Sequence, residues 1–355
     1  MTEPPILLDR NENQYGPAPA CLEVLRQTRA QELSFYSRDY ELKIKSKLSQ
    51  RLAEDLGLPE ERILLSYGSE DMLKQAIHCY LKPGERILTP NLSWWYYKSV
   101  ASEVDGVTVE YPLREADGRF SYDVKEIVKL LKTEHPRILL IASPNNPTGN
   151  SLPAEDLRIM LDEAGETLVV LDEAYRGFSE NTEDELPDLV RRYDNVLFLR
   201  TFSKFYALAG VRIGFAVAGK NLHRLAKFSA RYLGYSLLFE KLALAALDSD
   251  NYYAEMRTKI IREREQYIRE LGALPGWKPY NSDANFFLVR IPEGTKIPLR
   301  RWLEKKGIVI KFFDEGPLHD CVRITIGRED QNYLLRNALK EFAGIHSPTQ
   351  SAVPQ

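Results

Sequence analysis

Cysteine is scarce in this 355-residue chain. The three present, Cys21, Cys79 and Cys321, lie too far apart for a metal-ligand pattern or a disulfide framework. A small, disulfide-stapled secreted fold is therefore excluded, and a reducing compartment is expected, with each thiol serving as a small buried apolar residue. Net charge is also scarce, at −3, so no strong field draws the chain to nucleic acid or to an anionic membrane surface. Long hydrophobic runs are missing. The opening MTEPPILLDRNEN is acidic early and holds no long apolar stretch, so neither a signal peptide nor a membrane span is expected, and the protein reads as cytoplasmic. No Gly-x-Gly-x-x-Gly follows the first predicted strand, which disfavours a nicotinamide dehydrogenase. The five histidines show no metal-ligand spacing.

What is present is ordinary in bulk and informative in order. Hydrophobic content of 44% and charged content of 28% suit a globular protein with a substantial core. The length fits a large α/β domain with a smaller partner. Residues 1–20 are rich in proline and turn formers and read as an extended arm. Short apolar runs predict strands at Arg62–Ser66, Arg86–Leu88, Val107–Tyr111, Ile138–Ala142, Thr167–Leu171 and Val196–Leu199. Helical spacing alternates with them at Glu41–Leu56, from Ser69 through about Leu81, at Val124–Leu131 and at Leu152–Glu163. This alternation predicts α/β with a mostly parallel sheet. After residue 220 come helices at Asn221–Ala230, Phe239–Leu247 and Asn251–Leu271. A compact α+β unit follows, with strands at Trp277–Tyr280, Ala284–Arg290, Ile308–Phe312 and Val322–Ile326 and helices at Leu299–Lys306 and Gln331–Phe342. The expected division is an N-terminal arm and start of the small domain over 1–30, a large domain over 31–250, a small domain over 251–345 and a disordered tail over 346–355.

Chemistry gathers where the apolar runs end. The stretch LFLRTFSKFYALAGVRIGF ends a strand in Thr201, Ser203 and Lys204, with Arg212 eight residues beyond the lysine. A lysine at a strand end can form a Schiff base with a carbonyl, and two hydroxyls with an arginine supply donors for a phosphate dianion. Carbonyl plus phosphate points to pyridoxal phosphate, which also needs a carboxylate on its pyridinium nitrogen. The run TLVVL ends in Asp172-Glu173-Ala174-Tyr175, and the run before it ends in SPNNPTG, which carries Asn146. In a parallel sheet these ends share one edge and can converge. Asp172 would keep the ring nitrogen protonated, Tyr175 and Asn146 would hydrogen-bond the ring oxygen, and Lys204 would hold the aldehyde. Arg212, Thr201, Ser203 and the helix start at Ser69-Glu70 would hold the phosphate. That helix start equally suits simple capping. The aromatic run Trp94–Tyr97 equally suits core packing, although Trp95 would stack on the ring.

NNPTG, a strand ending in DEAY, and TxSK followed by arginine together resemble fold-type I pyridoxal-phosphate enzymes, and most closely the histidinol-phosphate aminotransferase-like branch. The resemblance covers almost the whole chain: LLDRNENQYGP resembles that branch's N-terminal arm and VRITIGREDQN its C-terminal element. It implies that Lys204 carries the cofactor and shuttles the proton between the substrate's Cα and the cofactor's C4′. It implies that Glu70 contributes its backbone N–H to phosphate binding. Tyr36 would reach the phosphate of the neighbouring subunit, making a homodimer with shared sites. Arg323 would bind the substrate's anionic group, and the segment Asn11–Tyr15, with Asn13 and Tyr15 as its named contacts, would close over the substrate. Lys311 stands where the branch usually places an arginine that helps grip substrate phosphate, and a lysine cannot make the same bidentate contact.

The expected activity is amino-group transfer between an amino acid or amino-alcohol phosphate and a 2-oxo acid. Two alternatives stay open at this point. One is a pyridoxal-phosphate decarboxylase or lyase of a phosphorylated or unusual amino acid, since the same Schiff base serves both. The other is a non-catalytic sensor of an amino compound, which would be expected to carry a fused DNA-binding segment or to lack the lysine.

Overall fold

Short, mostly apolar runs become the strands of two main sheets and one two-stranded hairpin. The computed structural model describes residues 4–38, 42, 46–181, 183–230, 233–314 and 316–345. In chain order the strands are β1 (Ile6–Leu8), β2 (Ile63–Ser66), β3 (Arg86–Pro90), β4 (Val107–Tyr111), β5 (Leu113–Ala116), β6 (Arg119–Tyr122), β7 (Ile138–Ala142), β8 (Leu168–Asp172), β9 (Val196–Thr201), β10 (Gly214–Ala218), β11 (Lys278–Pro279), β12 (Phe286–Arg290), β13 (Ile308–Phe312) and β14 (Cys321–Thr325).

The larger sheet runs β2-β10-β9-β8-β7-β3-β4. Six of its seven strands run in the same direction, and β10 is antiparallel to both its neighbours. Every residue of β7 and β8 is buried, as expected of parallel strands covered on both faces. Their side chains alternate between two cores: Val169 and Leu171 pack into one, Leu168 and Val170 into the other. The register Ala142↔Asp172 and Asp172↔Leu199 places the C-terminal ends of β7, β8 and β9 along one edge.

The smaller sheet runs β1-β13-β14-β12-β11. Its first strand corrects the reading of residues 1–20 as an arm outside the core. Ile6–Leu8 pairs in parallel with Ile308–Ile310, and Leu8 is fully buried. Three apolar residues carry little strand signal, and their partner is about 300 residues away. The hairpin β5–β6 was also absent from the expected elements. Its turn is Asp117-Gly118, both at positive φ (49° and 67°), and this dipeptide is the strongest short hairpin signal. The expected helix over Asn221–Ala230 is instead a 3-10 stretch, Lys220–Leu225, followed by one short α-turn, Ala226–Ser229.

The helix Asp250–Gly272 ties the two sheets together. Its buried residues Tyr253, Met256, Ile260, Glu263, Arg264, Tyr267 and Leu271 recur at helical spacing. Arg264 donates from one nitrogen to the carbonyl oxygens of Phe178 and Ala284, one on each side. Among the described residues no helix is long and apolar enough to cross a membrane. The expected tail, and Asp39 and Tyr40 of the segment around Tyr36, lie outside the described residues.

Candidate active site

The shared edge of β7, β8 and β9 opens into a cavity of about 1400 Å³, roofed by the arm and by the β13–β14 connection. Asn146, Asp172, Tyr175, Thr201, Ser203, Lys204 and Arg212 all line it, with Ser69, Glu70, Trp95, Lys311 and Arg323. These residues lie far apart in sequence, and the parallel sheet brings them together.

At one end is a cradle for an anion. The helix Ser69–Tyr80 begins after Gly68, whose φ is 81°, with no side-chain cap on its first N–H groups. A Cβ on Gly68 would lie 2.8 Å from Nη2 of Arg212, so glycine lets the guanidinium rest on the helix start. Ser203 N donates to Thr201 Oγ1 at 3.1 Å, and Arg212 reaches Ser203 Oγ at 3.4 Å. Two hydroxyls, a guanidinium and free backbone N–H groups form a donor set suited to a phosphate. One carboxylate intrudes: Glu70 Oε2 lies 3.5 Å from Arg212 Nη2.

At the floor is Asp172, 5% exposed. Its carboxylate accepts hydrogen bonds from the Ala174 N–H at 3.0 Å and the Tyr97 hydroxyl at 2.9 Å. Burial pushes the Asp172 pKa up, and these two bonds oppose the push. Burial, with Asp172 alongside, holds the Tyr97 phenol well above its ordinary pKa, so it remains a donor. The neighbouring Glu173 accepts from Arg200 at 2.6 Å, and Arg200 also binds Asp184 with two nitrogens at 2.8 Å. Only one carboxylate of the Asp-Glu pair is therefore left for the cavity.

Opposite the cradle stand the cations. Lys204 Nζ donates to the Arg10 carbonyl at 3.0 Å and lies 5.6 Å from the Tyr175 ring centroid. Arg323 is 8% exposed and donates to Asn146 Oδ1 and, at 2.5 Å, to the Asp9 carbonyl. Burial pushes its pKa down, with Tyr175 and Asp9 opposing. Its Nε is buried without a hydrogen-bond partner among the described residues. Lys311 pairs in register with Arg323 across β13 and β14, so two cations stand side by side at the cavity wall.

Other positions fall elsewhere. Asn13 and Tyr15 do not line the cavity. The Asn13 amide donates to the Phe205 carbonyl at 3.0 Å, and Tyr15 packs against the hydrophobic core, with its pKa pushed up to about 12, chiefly by burial. Asn11 takes the place beside the cavity, because its backbone turns there in a left-handed conformation, φ 56°. Tyr36 is exposed and outside its own chain's cavity. Trp95 is 69% exposed at the cavity rim. Asn145 is spent on structure, bonded to Ser93, Leu92 and Thr148, which leaves Asn146 as the asparagine of that pair on the cavity. Tyr97 had no separate signal within the aromatic run Trp94–Tyr97. Only the helix phase of Tyr96–Ser102 singles it out.

The donor set therefore fits pyridoxal phosphate: an anion cradle, a buried carboxylate, a lysine beside a phenol, and an asparagine. The family described as aminotransferase class I and II matches residues 3–339. Histidinol-phosphate aminotransferase from Ruminiclostridium cellulolyticum is 33% identical over 343 residues, covering 94% of this chain and 91% of that protein. The crystal structure of histidinol-phosphate aminotransferase from Sinorhizobium meliloti, in complex with pyridoxal-5′-phosphate, superposes with a TM-score of 0.82 at 28% identity, covering 96% of this chain and 91% of the other. L-threonine-O-3-phosphate decarboxylase from Porphyromonas gingivalis shares the fold, with a TM-score of 0.80 at 23% identity over 96% of this chain and 99% of the other.

Proposed function

We propose a function from one premise: the chain belongs to the aminotransferase class I and II family. It is a pyridoxal-phosphate-dependent aminotransferase of the histidinol-phosphate aminotransferase-like branch. Our reading of its substrate is an amino donor that carries an anionic group, with a 2-oxo acid as acceptor. One observation carries this: Arg323 holds a buried donor, Nε, without a hydrogen-bond partner among the described residues, and Lys311 stands directly across the strand pair. A buried, unsatisfied charged donor is costly and calls for an anion to complete it, and like charges directly opposite in a sheet are unfavourable unless something binds between them.

Bound pyridoxal phosphate supplies an aldehyde that holds the donor's nitrogen and a ring that takes up the electron pair left at Cα. In this reading Ser69, the Glu70 N–H, Thr201, Ser203 and Arg212 hold its phosphate. Asp172, where the Tyr97 and Ala174 hydrogen bonds oppose the effect of burial, would hold the proton on the ring nitrogen. Asn146 and Tyr175 orient the ring oxygen, and Trp95 covers the ring face and excludes water. Lys204 would hold the aldehyde and supply the amine that moves a proton at the donor's Cα. The Arg10 carbonyl, 3.0 Å from Nζ, orients the freed amine. Arg323 and Lys311 bind the substrate's anion. Tyr36, exposed in its own chain, serves the site of a second copy, which makes the working unit a homodimer in the cytoplasm.

A panel of amino donors, histidinol phosphate among them, mixed with cofactor-loaded protein in a single turnover tests this. Conversion of the cofactor to its amine form by an anionic donor is expected. Conversion by uncharged amines alone overturns the substrate reading, and release of carbon dioxide without the amine form overturns amino transfer.

A further inference from the structure

Asn11 is 1% exposed and uses every polar group it has. Its N–H donates to Thr325 Oγ1 at 3.0 Å, and its carbonyl accepts from Asn285 Nδ2 at 3.1 Å. The Thr325 hydroxyl donates to Asn11 Oδ1 at 3.3 Å, and Asn11 Nδ2 lies 2.9 Å from the Tyr175 hydroxyl. Thr325 Oγ1 receives the backbone N–H and donates to Asn11 Oδ1, and Asn11 Nδ2 donates to Tyr175, whose oxygen accepts. With Nδ2 donating, the Tyr175 hydrogen does not point at Asn11 and is free to point into the cavity.

We propose that Asn11 is a positioning residue for the reaction: its amide, held by Thr325, turns the Tyr175 hydroxyl hydrogen toward the ring oxygen of the bound cofactor. This rests on the reading that Tyr175 serves that oxygen. A phenol that accepts a hydrogen bond is a stronger donor through its own hydrogen. Asn11 therefore strengthens Tyr175's hold on the negative charge of the ring oxygen without touching the cofactor. Lys204 lies 5.6 Å from the Tyr175 ring centroid, Arg323 and Tyr97 act on it electrostatically, and Asp172 and Asp9 line the same cavity. None of them donates a hydrogen bond to its oxygen among the described residues. The left-handed backbone at Asn11 suits this role, since asparagine tolerates that conformation better than other residues with a side chain.

The test is the pH titration of the visible absorbance of cofactor-loaded protein, which reads the proton shared between the ring oxygen and the lysine nitrogen. Weaker support of the ring oxygen makes that pair more basic, so the midpoint rises. Asn11→Gly, which keeps the left-handed backbone, is expected to raise the midpoint by roughly half to one pH unit, the worth of one modest hydrogen bond. Asn11→Asp keeps the shape but presents an acceptor to Tyr175, draws the phenol hydrogen away, and is expected to raise it further. Tyr175→Phe raises it at least as much as Asn11→Gly, and adding Asn11→Gly to Tyr175→Phe moves it no more. A wild-type midpoint in both Asn11 variants overturns the proposal while leaving Tyr175's role intact, and so does a double variant in which the two shifts add. A wild-type midpoint in Tyr175→Phe overturns the reading of Tyr175 and the proposal with it. Circular dichroism of each variant establishes that the fold is retained, and Asn11→Asp carries the test if Asn11→Gly does not fold.

Discussion

The Tyr97 hydroxyl donates to Asp172 at 2.9 Å from the first turn of a seven-residue helix, on the side of the carboxylate away from the Ala174 N–H. The bond supports a buried charge that has only these two partners among the described residues. Removing it with Tyr97→Phe leaves the carboxylate with the Ala174 N–H alone and raises its pKa further. Hydrogen bonds to charged groups are worth about 1.5–3 kcal/mol, so the rate of the donor half-reaction is expected to fall roughly ten- to a hundredfold with little change in KM. Rapid-mixing absorbance measures both, and an unchanged rate removes Tyr97 from the site.

Asp172 itself is costly to the cofactor-free chain. Its folded pKa lies above the ordinary value because it is buried. For such a carboxyl the contribution to stability is complete only below the unfolded pKa and is lost as pH rises through the folded one. Above its folded pKa the group is therefore a burden until a cation meets it. Asp172→Asn is expected to raise the melting temperature of the cofactor-free protein at pH 7 by on the order of 1–2 °C, a gain that disappears in acid, and to weaken cofactor retention. Calorimetry at two pH values decides this; a melting temperature lower than wild type at pH 7 contradicts it.

Glu70 and a cofactor phosphate would compete for Arg212. The pair is about half exposed, so screening keeps the effect small. Glu70→Gln is expected to tighten equilibrium binding of pyridoxal phosphate by roughly two- to fivefold at low salt, and by less as salt rises. Looser binding in the variant would mean that the Glu70 side chain supports the cradle.

Tyr36 tests the shared site. Tyr36→Phe is expected to speed cofactor loss from the assembled protein while leaving its sedimentation unchanged. Cofactor retention equal to wild type removes the cross-subunit contact.

Much of this was legible because parallel strands place their ends together. Once Ile138–Ala142, the TLVVL run and the strand before Thr201 were read as buried strands, Asn146, Asp172 and Lys204 had to share an edge, and they do. Contacts decided by phase or by distant pairing were not legible. Tyr97 differs from Tyr96 only in the side of a short helix it occupies. The left-handed turn at Asn11 sends Asn13 and Tyr15 away from the cavity, and a stretch of NENQYG does not announce which asparagine turns. Ile6–Leu8 carries too few residues to state its partner, and β1 became visible only once β13 was in place.

The bonds from Asn11 to Thr325 and from Asp9 to Arg323 each join residues 314 apart. They set an order of assembly during synthesis. The phosphate cradle, Asp172, Tyr97 and Lys204 are all encoded by residue 212, but the carbonyls that hold Lys204 and Arg323 cannot settle until residue 325 has left the ribosome. A nascent chain therefore carries the parts that would grip the cofactor well before those that would grip the substrate, and its reactive lysine stays unanchored until the two ends of the polypeptide have met.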